Sequence, residues 1–193
     1  MLTNAGIAHI AEHPGLDDAE LAPTTQGVEA YVASLAYLKA AAGAVLPQSA
    51  DVDVVLGADT ACEQGGTIIG TPTTEDEAYQ MVRNLSGIEH RVCSGVALVG
   101  PRDGRRVIFV DEARVTLGRL PDDEIRKYVA SGEWRGKAGG YNLSERLAAG
   151  WPIEHNGDPT TIMGLPMRRL VPVLDAWNDL ASPLWRSSGE TVS

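Results

Sequence analysis

The stretch VVLGADTACEQGGTIIGTP, residues 54–72, decides how the rest of the chain is read. Val54, Val55 and Leu56 make a short continuous apolar run, the pattern of a central strand covered on both faces. The run passes through two small residues, Gly57 and Ala58, into a bare carboxylate, Asp59, followed by Thr60. An acid at the carboxyl end of a buried strand stands where open α/β sheets bind ligands. Its small neighbours would let a ligand or a metal approach the backbone. An aspartate that merely caps the following turn fits the same position, and both readings stand at this point.

On the N-terminal side, Thr24 or Thr25 can cap a helix running to about Ala42. Val28, Val32 and Leu35 form its apolar stripe, and Lys39 continues that stripe. A lysine there either snorkels to the surface or meets an anion inside a cleft. The chain has three lysines, Lys39, Lys127 and Lys137, and otherwise uses arginine as its cation. Lys137 lies in GKAGGY, where two glycines and a cation suit phosphate oxygens, although a plain flexible turn has the same composition. The spacing is neither a Walker loop nor a dinucleotide fingerprint. Asp17-Asp18 is an acid pair in a loop; such pairs are commonly only solvated, but with Asp59 they could hold Mg²⁺, which takes one or two carboxylates plus substrate phosphates.

On the C-terminal side, Thr74 and Glu77 make a capping box, and Ala78, Met81, Val82 and Leu85 follow at helical spacing up to Gly87. His90–Val99 and Arg105–Leu117 read as long strands joined by a turn at Pro101-Arg102-Asp103-Gly104. Pro121 opens a helix that Gly132 ends. WPIEH, Asn156-Gly157 and DPTTIMG read as strand, turn and strand. Pro166 to about Leu180 is a last amphipathic helix with Leu170, Val173, Leu174 and Trp177 inward. The expectation is an α/β fold with antiparallel ribbons, in one domain over residues 1–181 and a frayed tail over 182–193.

Composition bounds the function. The 193 residues carry a net charge of −10, which argues against a nucleic-acid or anionic-membrane face. No apolar run approaches the roughly 20 residues of a membrane span. Cys62 and Cys93 are read as reduced, buried, cytosolic thiols, with a disulfide or a reactive thiol as the alternative. The four histidines show no ligand spacing, so no zinc site is expected.

Five segments taken together, YVASLAYLKAAAG, VLGADTACEQGGTIIGTP, MVRNLSGIEHRVCSGVAL, KAGGY and TTIMGLPMRRL, resemble the Maf family of nucleoside triphosphate pyrophosphatases in order and spacing. The combination is far more specific than any one motif. The resemblance implies a central mixed twisted sheet with flanking helices, in two lobes around a cleft. It implies an enzyme dependent on Mg²⁺ or Mn²⁺ that cleaves a nucleoside triphosphate between its α and β phosphates, with dTTP, UTP or a modified nucleotide as substrate. By this resemblance Asp59 is the proton acceptor, and Lys39 and Lys137 bind phosphate. Tyr141, in the same KAGGY motif, belongs to the substrate site. Asp18 and Asp59 hold the metal, and Thr60 and Ser144 are specificity positions. A cytoplasmic homodimer with no nucleic-acid or membrane partner is expected.

The chain departs from the family pattern in three places. It starts beyond the strand and S-x-S-P-R-R segment with which the family begins, so the first sheet strand is expected to be missing, through a late start assignment or a true truncation. Gly70-Thr71-Pro72 stands where the family has G-K-P, and Ser144 where it has Gln. The alternative expectation is a truncated, catalytically inactive nucleotide-binding protein with a regulatory role in cell division.

Overall fold

The structure, a computed structural model, describes residues 1–16 and 27–177. The Thr24/Thr25 cap, the Asp17-Asp18 pair and the tail after 181 lie outside the described residues. Elements follow in the order α1 (Val28–Ala44), β1 (Val55–Gln64), β2 (Thr67–Ile69), α2 (Glu75–Leu85), β3 (Ile88–Val99) and β4 (Arg106–Leu117). Then come α3 (Asp122–Ser131), α4 (Leu143–Ala148), β5 (Ile153–Asn156), α5 (Pro159–Ile162) and α6 (Met167–Asp175). The fold is α/β, one five-stranded sheet in the order β2-β1-β3-β4-β5 with helices against it.

Every ladder among the described residues is antiparallel, where a mixed sheet was expected. The reason is topological. A parallel neighbour needs a crossover to the far end of the sheet. Here β2 and α2 return the chain to the end at which β1 stops, so β3 runs back along β1 from Arg91 opposite Glu63 to Val99 opposite Val55.

Local chemistry explains most boundaries. Thr74 accepts from the Glu77 amide at 3.2 Å, and the Glu77 carboxylate accepts from the Thr74 amide, so the capping box forms as read. The hairpin of β3 and β4 also stands where it was read. Three readings change. Helix α1 starts at Val28 behind Gly27, whose φ of 90° ends the preceding chain without a side-chain cap. Strand β1 is ten residues long rather than a short run, so Asp59 lies in mid-strand and not at its carboxyl end. Residues 158–162 are a capped helical turn, not a second hairpin strand: Pro159 suits a first helical position, and the Asp158 carboxylate accepts from the Thr160 amide at 2.9 Å.

Helix α1 lies unusually close to the sheet. A Cβ on Gly57 would stand 2.3 Å from the Ala36 carbonyl oxygen, and one on Gly95 2.4 Å from the Val32 carbonyl oxygen. Glycine at both positions is therefore a packing requirement, and Ala36 and Ala40 on the helix complete the close approach. The opposite face carries the larger side chains. Leu98, Phe109, Leu165, Leu170 and Trp177 form one cluster there, and Val82, Leu85, Tyr128, Trp134, Tyr141 and Trp151 belong to another. Cys62 and Cys93 are buried and free; Cys62 pairs with Val92, so the two thiols point to opposite faces and cannot bridge.

Candidate functional site

Strand β1 pairs with β3 from Val55 to Glu63, but with β2 only from Cys62 to Gln64. Among the described residues, the other edge of β1 from Val55 to Ala61 has no strand partner. A groove of about 740 Å³ runs along that edge, between Leu56-Gly57-Ala58 and the segment from Ile7 to Pro14, with Lys39 in its wall. That is room for a nucleotide-sized ligand.

Asp59 follows Ala58 at the end of this groove. Side chains alternate along a strand, so Gly57, Asp59 and Ala61 face α1, while Ala58, Thr60 and Cys62 face the other way. The Asp59 side chain is 11% exposed, and its Oδ1 accepts from Lys39 Nζ at 2.7 Å. Lys39 thus neither snorkels away nor sits idle on its stripe: the stripe carries it to the acid. The pair depends on the two glycines, because any side chain at 57 or 95 would push α1 outward.

Thr60, one residue on, belongs to a polar row on the opposite face. Thr60 pairs with Ser94 across β1 and β3, and Ser94 pairs with Asp111 across β3 and β4. The Thr60 and Ser94 hydroxyl oxygens are 2.6 Å apart, and Ser94 Oγ donates to the Thr161 carbonyl at 2.7 Å. The Thr161 hydroxyl donates to the Asp111 carboxylate. Ser94 and Thr161 are fully buried. A Cβ on Gly164 would stand 3.3 Å from Thr60 Oγ1, so glycine keeps the space beside that oxygen open.

Lys137 has a carboxylate partner of its own. Its ammonium pairs with Glu145, and its turn packs over β1 on the face away from α1: the Gly139 amide donates to the Gly70 carbonyl at 3.1 Å, and a Cβ on Gly139 would meet Cys62 Sγ at 3.0 Å. Among the described residues, Lys39 reaches Asp59 and Lys137 reaches Glu145, and the Lys137 turn packs on the other face of β1 from Lys39. Adjacent strand residues point to opposite faces, and the sequence does not say which face a later loop will cover.

Tyr141 is buried, 8% exposed, and its hydroxyl lies 2.9 Å from His90 Nε2. The Tyr128 hydroxyl donates to the Gly140 carbonyl at 2.9 Å. Two aromatic hydroxyls thus fix the 137–141 turn from inside the core. Burial lowers the pKa of His90 and raises that of Tyr141, keeping both neutral. Ser144 Oγ donates to Asn142 Oδ1 at 2.9 Å and lies 3.6 Å from Met163 Sδ, beside the Gly164 turn that flanks Thr60.

The sequence reading missed Ser94, Asp111 and Thr161 as partners of the site. Their signal was a row across three strands, which no single strand displays, and Thr161 was hidden by reading 158–164 as extended.

Asp18, the other expected metal ligand, lies outside the described residues. Chemically, Asp59 suits a hard cation that completes its shell with phosphate oxygens and water. Elsewhere, Glu29, Cys93 and Glu112 cluster at the far end of the α1 face, where Arg91 binds Glu29, Glu63 and Glu112.

The Maf-like protein family model matches residues 1–177. A dTTP/UTP pyrophosphatase of Salinibacter ruber is 40% identical over 159 residues, covering 82% of this chain and 76% of the relative. Those of Mesorhizobium japonicum and Caulobacter vibrioides are 45% and 42% identical over 120 and 123 residues, covering 62% and 64% of this chain. The matches span 57% and 63% of the length of those two relatives. With a tight glycine-seated helix delivering Lys39 to Asp59, and a family match running from the first residue to the last helix, the chain belongs to the Maf-like protein family.

Proposed function

We propose that this protein hydrolyses a pyrimidine nucleoside triphosphate, dTTP or UTP, to the monophosphate and pyrophosphate. The observation that carries the proposal is the Lys39–Asp59 pair at 2.7 Å, at the end of a nucleotide-sized groove along the free edge of β1. The activity named for the relatives supports it.

The chemistry follows from the groups. A water oxygen attacks the α-phosphorus, the P–O bond to the β-phosphate breaks, and pyrophosphate leaves with the electron pair. Asp59 takes the water's proton. Phosphate oxygens compete with Asp59 for the Lys39 ammonium, so arrival of the triphosphate releases the carboxylate to act as a base. A bound Mg²⁺ or Mn²⁺, held by Asp59 with Asp18, would neutralise charge on the phosphates. Lys137, tethered to Glu145, bounds the site from the opposite face. The free, separated thiols of Cys62 and Cys93 support a cytoplasmic location, and among the described residues no helix is long and apolar enough to cross a membrane. A homodimer completes the reading, and light scattering on the purified protein checks it.

The test is pyrophosphate release across a nucleotide panel with Mg²⁺ or Mn²⁺. Wild type turns over UTP and dTTP, and Asp59→Asn lowers the rate by about 10²- to 10⁴-fold, the range for removing a general base. Full activity in Asp59→Asn overturns the mechanism. Tight binding without product would instead make the protein a non-catalytic nucleotide binder.

A further inference from the structure

The hydroxyl row behind Thr60 fixes which way its proton points. A serine or threonine hydroxyl has one proton to donate and two lone pairs to accept with. The Ser94 proton goes to the Thr161 carbonyl at 2.7 Å, because a carbonyl oxygen can only accept. The 2.6 Å bond between Ser94 and Thr60 must then use the proton of Thr60. Thr161 cannot reverse this, since its own hydroxyl proton is directed to Asp111. Ser94 is fully buried, so no water substitutes for its partners. Thr60 is only partly buried, and a Cβ on Gly164 would stand 3.3 Å from its Oγ1, so glycine there leaves the remaining lone pairs of that oxygen uncovered by a side chain at 164. Across that turn, the Ser144 proton is directed to Asn142 Oδ1.

From this we infer that Ser94 is a specificity-determining positioning residue: it locks Thr60 as a hydrogen-bond acceptor toward the ligand, so the site takes a base that presents an imide N–H, as uracil and thymine do, and rejects cytosine, whose ring nitrogen at that place is itself an acceptor. The inference rests on the pyrophosphatase reading and names the substrate edge that reading requires. Two acceptors facing each other leave both without a proton, which a site of fixed polarity discriminates against strongly. Ser94→Ala removes the acceptor that holds the Thr60 proton. The freed hydroxyl can then turn and donate to cytosine.

The experiment measures kcat/KM for UTP and for CTP with wild type, Ser94→Ala and Thr60→Val, with a thermal melt of each. The expected result is a UTP-over-CTP ratio that falls about tenfold or more in Ser94→Ala, chiefly through faster CTP turnover. Thr60→Val loses the ratio through slower UTP turnover. Wild type that turns over UTP, with an unchanged ratio in Ser94→Ala, overturns this inference alone. Should Ser94→Ala fail to fold, an unchanged ratio in Thr60→Val overturns it equally. Wild type that turns over no nucleotide overturns the pyrophosphatase reading and this inference with it.

Discussion

The two faces of strand β1 are built on opposite plans. Toward α1 the strand offers Gly57, Asp59 and Ala61, and Gly95 beside them, so that helix backbone nearly touches sheet backbone. Charge is brought in by the helix, as Lys39. Toward the other face the strand offers Cys62, packed in a cluster with large aromatic side chains, and Thr60, whose partner Ser94 bonds the α5 turn. Polarity there comes from hydroxyls whose protons are all assigned. The first face places an ion pair by eliminating side-chain volume; the second places a neutral acceptor by completing a hydrogen-bond chain. Asp59 and Thr60 are neighbours on opposite faces of β1, beside an edge that has no strand partner among the described residues from Val55 to Ala61.

The comparison can be broken most severely at Gly95. A Cβ there would meet backbone atoms of α1, which cannot rotate aside. Gly95→Ala is expected to cost about 3 kcal/mol by overpacking and to lower Tm by about 6–12 °C. A melt within 1 °C of wild type would show that the close approach is not what seats the helix.

Removing the charge while keeping the helix seated is the next step down. Lys39→Met preserves length and apolar contact but leaves Asp59 without its ammonium. Loss of one charge-assisted hydrogen bond to phosphate, about 1.5–3 kcal/mol, should lower kcat/KM for the triphosphate by about 10- to 150-fold. The UTP-over-CTP ratio should stay as in wild type, since Thr60 and Ser94 lie on the other face. A changed ratio would show that the two faces are coupled.

The smallest effect tests the aromatic side. His90 is buried and neutral, faced by the Tyr141 hydroxyl, with the Ile88 backbone and the Glu89 charge acting in the opposite direction. Desolvation holds its pKa below the ordinary value of 6.5. Below that pH the unfolded chain binds a proton that the folded protein resists, so stability falls as pH falls. Between pH 7.5 and 5.5 this group therefore contributes a fall in Tm. In His90→Gln, which does not titrate, that part of the fall should vanish; an identical pH profile in both proteins refutes it.

Much of this was legible one element at a time. The Thr74–Glu77 capping box, the long β3–β4 hairpin, the α3 helix between Pro121 and Gly132, and the stripe that ends in Lys39 are local patterns, and each forms where the spacing puts it. The reading failed where a residue obeyed a distant neighbour. β1 runs on through Thr60, Ala61 and Cys62 because β3 pairs with it throughout. Residues 158–162 coil because Asp158 caps the Thr160 amide and also accepts from the Arg168 amide at 3.1 Å. Lys137 pairs with Glu145, and its turn packs on Cys62 and the Gly70 carbonyl, on the other face of β1 from Lys39.

By itself, then, the sequence determined which residues carry charge, which periods they follow, and the family to which those motifs point. Only the tertiary structure decided which face each one serves, that Lys39 meets Asp59 while Lys137 meets Glu145, and that the Thr60 hydroxyl meets Ser94. The physical reason is that period and capping act over a few residues along the chain, whereas an ion pair or the direction of a hydroxyl proton is settled by whichever atom lies within 3 Å in space.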